Sequence, residues 1–469
     1  MTLCGKFQEN EVLLLVHLFI CELSLALMAA ALYLQGERPF VEFLFSSKTG
    51  IMFGLAILAF AVSGRVIVCQ YLSHKRSPSP HFRLVVLMNL ITVLLIGIMC
   101  ELVVRAGSHR EGDREMFANV ILKPRIWQWA QPYYRELAEK SVAGQALLVY
   151  DEDLGWTVGS NKHFPYSTHK KEGPYWSSEE GLRAPKEKFL YGYDADKTDI
   201  AIVGDSFTFG DEVEYEEVWG FELDQLLGEK FRVLNFGVPG YGLDQIYLRY
   251  QADVRKWNPK VVIFGFIPHD LLRSTLVYPF ASQTWQLPFS KPRFVLSDGQ
   301  LTLMNRNAVP PEEIFSRRSI SELPALEYDR GYRPSDWEKS WYHFSYLIRL
   351  FTSRYPPWFA DNSEEELLQL NAEILKSFVR SATQAGSIPL IVYFPNRGDF
   401  DQPNSYLPLG KRMLQEAGLP YIDPTPCLLE VSPSVRFQRG GHYSPQSNVA
   451  VAKCLVDAVR ELLGQPADG

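Results

Sequence analysis

Asp199-Ile200-Ala201-Ile202-Val203-Gly204-Asp205-Ser206-Phe207-Thr208-Phe209-Gly210 carries the strongest structural signal in the chain. Its first half is an apolar run of the kind found in a parallel strand buried on both faces. Gly204 then allows a sharp turn, and Ser206 stands just past it, at the carboxyl edge of a sheet. Open α/β folds place their ligands at that edge. A hydroxyl there, opposite backbone N–H groups and within reach of a histidine, is the minimum equipment for acyl transfer.

Downstream, strands and helices alternate. The pattern predicts a helix over 216–227, a strand over 232–236, a helix over 244–257 and a strand over 260–266. It stops between about 271 and 360, a length that implies an inserted subdomain. Within that insertion, residues 293–303 read as a hairpin around Asp298-Gly299. Ser363 then caps a long helix, followed by a strand over 388–394, a helix near 406–417, a strand over 420–423 and a last helix over 445–463. Such alternation implies right-handed βαβ units and a parallel sheet. Upstream, residues 115–142 read as one or two helices, and 151–197 as irregular with short strands at best.

Four places at strand ends hold candidate chemistry. They are Ser206; the run Asn235-Phe236-Gly237-Val238-Pro239-Gly240-Tyr241-Gly242-Leu243-Asp244-Gln245; Pro268-His269-Asp270; and Gly440-Gly441-His442-Tyr443-Ser444 before the final helix. Together these blocks resemble the SGNH (GDSL) hydrolase family. Asp153-Leu154-Gly155-Trp156, Glu180-Gly181-Leu182-Arg183 and Gly240-Tyr241-Gly242-Leu243-Asp244-Gln245 are similar to its membrane-anchored, envelope-facing group associated with bacterial surface polysaccharides. The resemblance spans about 150–463. It implies a flavodoxin-like three-layer sheet and a serine esterase in which Ser206 is the nucleophile and His442 the general base. The N–H groups of Ser206 and Gly240 would be oxyanion donors. His269 would stand where the family has an asparagine, with Asp205, Asn235 and Asp270 in support. No cofactor is implied.

The chain departs from the family where the orienting acid belongs: three residues before His442 stands Arg439. Either Asp423, at the end of a predicted strand, approaches His442, or the site works as a Ser–His dyad. The insertion's Trp285, Trp337, Trp341, Tyr342 and Trp358 read as core packing or as a sugar-stacking platform.

Three apolar runs, over 12–34, 51–72 and 84–104, each approach or exceed the roughly 20 residues that cross a bilayer. A cleaved leader is the rival reading of the first, but its flank carries only Lys6 with Glu9 and Glu11. His74, Lys75, Arg76, His81 and Arg83 place the second loop inside, so three crossings leave the larger part outside. A net charge of −7 argues against nucleic acid as partner. The nine histidines and six cysteines show no metal-ligand spacing, and Cys427 and Cys454 are free to bridge in an oxidising compartment.

The sequence therefore predicts an α/β protein with a flavodoxin-like three-layer parallel sheet. A membrane region over 1–106 with three transmembrane helices comes first. A juxtamembrane and pre-catalytic stretch over 107–197 and a catalytic domain over 198–469 follow. The expected function is a multi-pass, inner-membrane-anchored, extracytoplasmic serine esterase acting on acyl esters of an envelope glycan or related sugar. The alternatives are an O-acyltransferase acting on a surface polysaccharide and a catalytically decayed glycan-binding protein.

Overall fold

The computed structural model describes residues 80–143, 145–165, 174–282, 287–354, 364–402 and 406–464. The chain divides into two units, Met1–Ser108 with Phe344–Leu350, and His109–His343 with Phe351–Gly469.

In the first unit, the expected spans over 12–34 and 51–72 lie outside the described residues. The run over 84–104 lies in the helix Pro80–Gly107, which leaves Leu94, Leu95, Ile98, Met99, Leu102 and Val103 exposed. Among the described residues no helix is long and apolar enough to cross a membrane, so the three-span expectation gains no support there. Glu101, on this helix, accepts hydrogen bonds from Ser345 Oγ at 2.8 Å and from the N–H groups of Tyr346 and Leu347 at 2.9 Å.

The second unit is built on four parallel strands: β1 (Thr198–Val203), β2 (Phe231–Asn235), β3 (Val261–Phe266) and β4 (Ile388–Tyr393). Their order is β2-β1-β3-β4. Val233 pairs with Ile200, Ile263 with Ile202, and Ile263 with Leu390. Alternate side chains of β1 enter different cores, because successive residues of a strand face opposite ways. Ile200 and Ile202 pack with Trp219 and Leu223 of α2 (Trp219–Leu227) and with Val451 and Leu455 of α7 (Pro445–Leu462). Ala201 and Val203 pack with Ile246 and Tyr250 of α3 (Leu243–Ala252) and with Ile374 and Phe378 of α5 (Glu364–Gln384). Helices on both faces make three layers. Because β2 and β3 flank β1 on opposite sides, the crevice at the carboxyl ends opens beside β1.

Four local expectations meet different outcomes. Only Trp127–Val142 is helical between 115 and 142, and the strands Arg114–Phe117 and Val120–Ile121 precede it. Pro124 separates the two parts, since proline has no N–H to offer a helix interior. The strand expected over 420–423 is a single bridge, Val392 to Ile422, because Pro420 removes a ladder donor. The cap at Ser363 lies outside the described residues. The hairpin forms as Arg293–Ser297 and Gln300–Met304, with Asp298 and Gly299 both at positive φ, 51° and 74°, as a two-residue turn requires.

The insertion shares a second core with the helix Trp127–Val142, where Trp127, Tyr134, Phe280, Phe315 and Trp337 pack together. Trp337 is therefore packing, with its Nε1 donating to the Ala281 carbonyl at 3.1 Å. Trp341 is exposed, and Trp285 and Trp358 lie outside the described residues. Cys427 and Cys454 form a disulfide that ties the helix Thr425–Leu429 to α7.

Candidate active site

Ser206 opens α1 (Ser206–Phe209), a single turn directly after β1. Asp205 caps that turn, its Oδ1 accepting from the Phe207 N–H at 2.9 Å. Gly210 closes it at φ 88°, a left-handed conformation that glycine adopts without penalty. The cap redirects the chain, so that Asp211 and Glu212 follow immediately beside Ser206. Glu212 itself has φ 68°, which costs a non-glycine residue energy and marks a constrained site.

His442 reaches the serine from the far end of the sequence. Its Nε2 lies 2.9 Å from Ser206 Oγ and its Nδ1 2.8 Å from Glu212 Oε2. A carboxylate only accepts, so Nδ1 carries the proton, and Nε2 is left to accept from the serine hydroxyl. Glu212 is held in turn by two backbone donors: Gly440 N–H at 2.7 Å to Oε1 and His442 N–H at 3.1 Å to Oε2. Gly440 is needed for that cradle, because a Cβ there would lie 2.5 Å from Glu212 Oε1. The Phe207 ring packs against the imidazole with centroids 5.1 Å apart.

The charges follow from these contacts. Burial opposes the ionised form of Glu212, but the hydrogen bonds from the His442 ring and from the His442 and Gly440 N–H groups outweigh it and hold its carboxyl below the usual range. Burial likewise opposes the imidazolium of His442. The Glu212 hydrogen bond and the neighbouring Asp211 and Asp205 charges prevail and raise its pKa. Ser206 is only 6 % exposed, while the side chains of His442 and Asp211 are 22 % and 21 % exposed, so the site opens on their side.

The glycine-rich loop after β2 supplies the other wall. Asn235 links it to the nucleophile turn, donating from Nδ2 to the Thr208 carbonyl at 2.8 Å and accepting from the Gly237 N–H at 2.9 Å. Three further bonds fix the loop from outside. Trp156 Nε1 donates to the Pro239 carbonyl at 3.0 Å, Tyr241 Oη to the Trp156 carbonyl at 2.6 Å, and Gln245 Nε2 to the Leu154 carbonyl at 2.8 Å. Arg273 joins the neighbouring blocks, reaching Asp270 at 2.7 Å, Asp205 at 3.2 Å and the Tyr241 carbonyl at 3.3 Å. The backbone N–H groups of Ser206 and Gly240 have no protein acceptor among the described residues, which leaves both open to a ligand oxygen.

No protein-family model and no curated protein matches this sequence. Solved structures similar to it include a lipase/acylhydrolase from Enterococcus faecalis, at 13% identity and a TM-score of 0.29, covering 58% of this chain and 100% of that one. Another is a carbohydrate acetylesterase family member from Sinorhizobium meliloti, at 14% identity and TM-score 0.30, covering 57% and 99%. A third is the psychrotrophic esterase EstA from Pseudoalteromonas sp., at 10% identity and TM-score 0.30, covering 57% and 100%. Each is a distant likeness over somewhat more than half of this chain.

The structure brings Ser206 and His442 together and packs Asp205, Asn235 and Asp270 around them in supporting bonds. It does not bring Asp423 to the imidazole. Asp423 Oδ1 accepts from the Thr425 N–H at 3.0 Å, its Oδ2 pairs with Lys411 at 2.6 Å, and Nδ1 of His442 is occupied by Glu212. The dyad alternative falls for the same reason. Arg439 is exposed on the loop. His269 is exposed at the start of α4 (Pro268–Arg273), its Nδ1 3.3 Å from Asn396 Nδ2, and no contact joins it to Ser206 or His442 in the described bonds.

Glu212 and Asp211 are the residues that sequence reasoning missed. A signal was present: two adjacent acids directly after the glycine that closes the nucleophile turn. Arg183 has a related place. It is buried, donates to the Val213 carbonyl at 3.1 Å, and so braces the turn that carries both acids. Among the described residues no group of His, Cys, Asp or Glu side chains could hold a metal ion. A separate cavity of about 470 Å³, lined by Lys123, Leu272, Arg330, Arg333, Asp336 and Glu364 among others, includes none of Ser206, His442 and Glu212.

Proposed function

We propose that the chain is a serine esterase that transfers an acyl group from an ester to water through an acyl-enzyme on Ser206. The observation that carries this reading is the continuous relay from Ser206 Oγ to His442 Nε2 at 2.9 Å and from Nδ1 to Glu212 at 2.8 Å. As Oγ attacks the ester carbonyl, His442 takes its proton and passes it to the departing alcohol. Glu212 keeps the ring in the required tautomer and steadies the imidazolium. The N–H groups of Ser206 and Gly240 stabilise the oxyanion. Water then enters, gives its proton to Nε2, and releases the acid.

The substrate in this reading is an acyl ester of an envelope glycan or related sugar, and the helix Pro80–Gly107 with its exposed apolar side chains is part of a membrane anchor. The solvent-facing side of the site, next to Asp211, also suits a sugar hydroxyl as acceptor, which makes O-acyl transfer the second reading. An intact relay supports turnover over a decayed, glycan-binding role. Ser206→Ala should lower hydrolysis of an acetyl ester by about 10⁴–10⁶-fold and abolish labelling by a fluorophosphonate. Undiminished hydrolysis by that variant would remove the mechanism.

A further inference from the structure

Asp211 has no part in the relay, yet it stands at the reacting centre. Its N–H donates to the Ser206 carbonyl at 3.0 Å, which fixes it beside the nucleophile. Its Oδ2 lies 3.9 Å from His442 Nε2, the ring nitrogen that faces Ser206 Oγ, whereas Glu212 holds the opposite nitrogen. That separation is too long for a hydrogen bond. It does suit one small oxygen placed between the two atoms at about 2.8 Å from each. No donor among the described residues bonds the Asp211 carboxylate, and its side chain is partly exposed. Burial pushes its carboxyl up to about 6, so at neutral pH it is ionised and can accept. Buried Arg183 contributes attraction, with no ion pair to Asp211 among the described contacts.

Resting on the serine mechanism above, we infer that Asp211 positions the hydroxylic acceptor of the acyl group. In deacylation the acceptor O–H proton moves to His442 Nε2, its oxygen bonds the acyl carbon, and the Ser206 Oγ–carbon bond breaks. Oγ then recovers the proton from Nε2. Asp211 accepts from the O–H that is not transferred. For water this is its second hydrogen. For a sugar it is the hydroxyl next to the attacking one in a vicinal diol. During acylation the same place is held by the leaving alcohol, which has no second O–H in a simple aryl ester, so Asp211 acts on one half-reaction with such a substrate.

The full-length chain is treated with p-nitrophenyl acetate. Acylation is read from pre-steady-state release of p-nitrophenol, and deacylation from decay of the acetyl mark on Ser206 by mass spectrometry. Because the Asp211 charge also raises the His442 pKa, each protein is read on its own pH plateau. There Asp211→Ala, with Asp211→Asn as a same-size control, should change acylation less than about twofold and slow decay about tenfold or more. Adding a methyl glycoside with a vicinal diol, against a monohydroxyl alcohol of similar size, should show preferential acyl capture by the diol in the wild type and loss of that preference in Asp211→Ala. Capture of neither alcohol, with decay in water still slowed, assigns Asp211 to water alone. Equal slowing of both half-reactions, or of neither, overturns the inference. If wild-type Ser206 takes up no acetyl group, the serine mechanism itself falls and this inference with it.

Discussion

At the residue scale, the finding that changes the sequence reading is the source of the acid that holds the His442 ring. Arg439 occupies the position three before His442, and the carboxylate comes instead from Glu212, 230 residues earlier in the chain. Replacing Glu212 by Gln keeps the shape but removes the charge that favours the correct tautomer. It should lower kcat by about 10³–10⁴-fold, with Ser206 still in place. The same charge sets the pH response. Negative neighbours stabilise the imidazolium, so His442 becomes a neutral base only above its ordinary range. The acidic limb of kcat/KM should therefore have its midpoint above 6.5, rising with pH. In Glu212→Gln the residual activity should show that midpoint moved to lower pH. A pH–rate series on both proteins checks this, and an unmoved midpoint would count against Glu212 as the partner.

At the scale of elements, the site is a meeting of turns that leave parallel strands at one edge. The nucleophile turn ends at Gly210, and its two acids face the loop that precedes α7. That loop accommodates the Glu212 carboxylate only because residue 440 has no side chain. Gly440→Ala places a methyl group 2.5–2.7 Å from the carboxylate atoms. The loop is partly exposed, so the change should displace the acid more than it unfolds the protein. We expect kcat to fall about 10²-fold. A thermal melt within a few degrees of the parent, measured alongside, would show that the fold is kept; retained activity would show that the cradle is not required. The motifs at 153–156, 180–183 and 240–245 acquire physical roles here. Trp156 and Gln245 lock the hairpin over 148–158 to the glycine-rich loop after β2, and Arg183 holds the turn of the acids.

At the scale of the whole molecule, the second unit combines the sheet, the insertion and the stretch before β1 around a common interior. A buried contact between Lys291 of the insertion and Asp244 of α3 joins two of these parts. Burial moves Asp244 up and Lys291 down, each toward its neutral form, and their mutual attraction works against both. The first unit bears on localisation. If the exposed apolar face of Pro80–Gly107 belongs to an anchor, the full-length chain should stay with the membrane fraction through an alkaline carbonate wash. In sealed cells or spheroplasts, its catalytic unit should be open to external protease. Release into the wash, or protection from outside, would contradict the anchored, outward-facing arrangement.

Local patterning announces the four parallel strands, the turn at Ser206 and the glycine loop, because strand runs, turn glycines and helix caps act over a few neighbouring residues. The histidine before α7 stood out through the resemblance of the blocks. Spacing points to the position of Arg439 and strand-end placement to Asp423, and both miss Glu212 because an acid can reach a ring nitrogen from any turn on the same sheet edge. Only tertiary packing decided that Glu212 meets Nδ1 of His442 and that Asp423 pairs with Lys411. It alone placed Asp211 on the Nε2 side of the imidazole and tied Trp156 to the glycine-rich loop after β2. Those contacts join residues tens to hundreds of positions apart, and the sequence pattern of neither partner encodes the other.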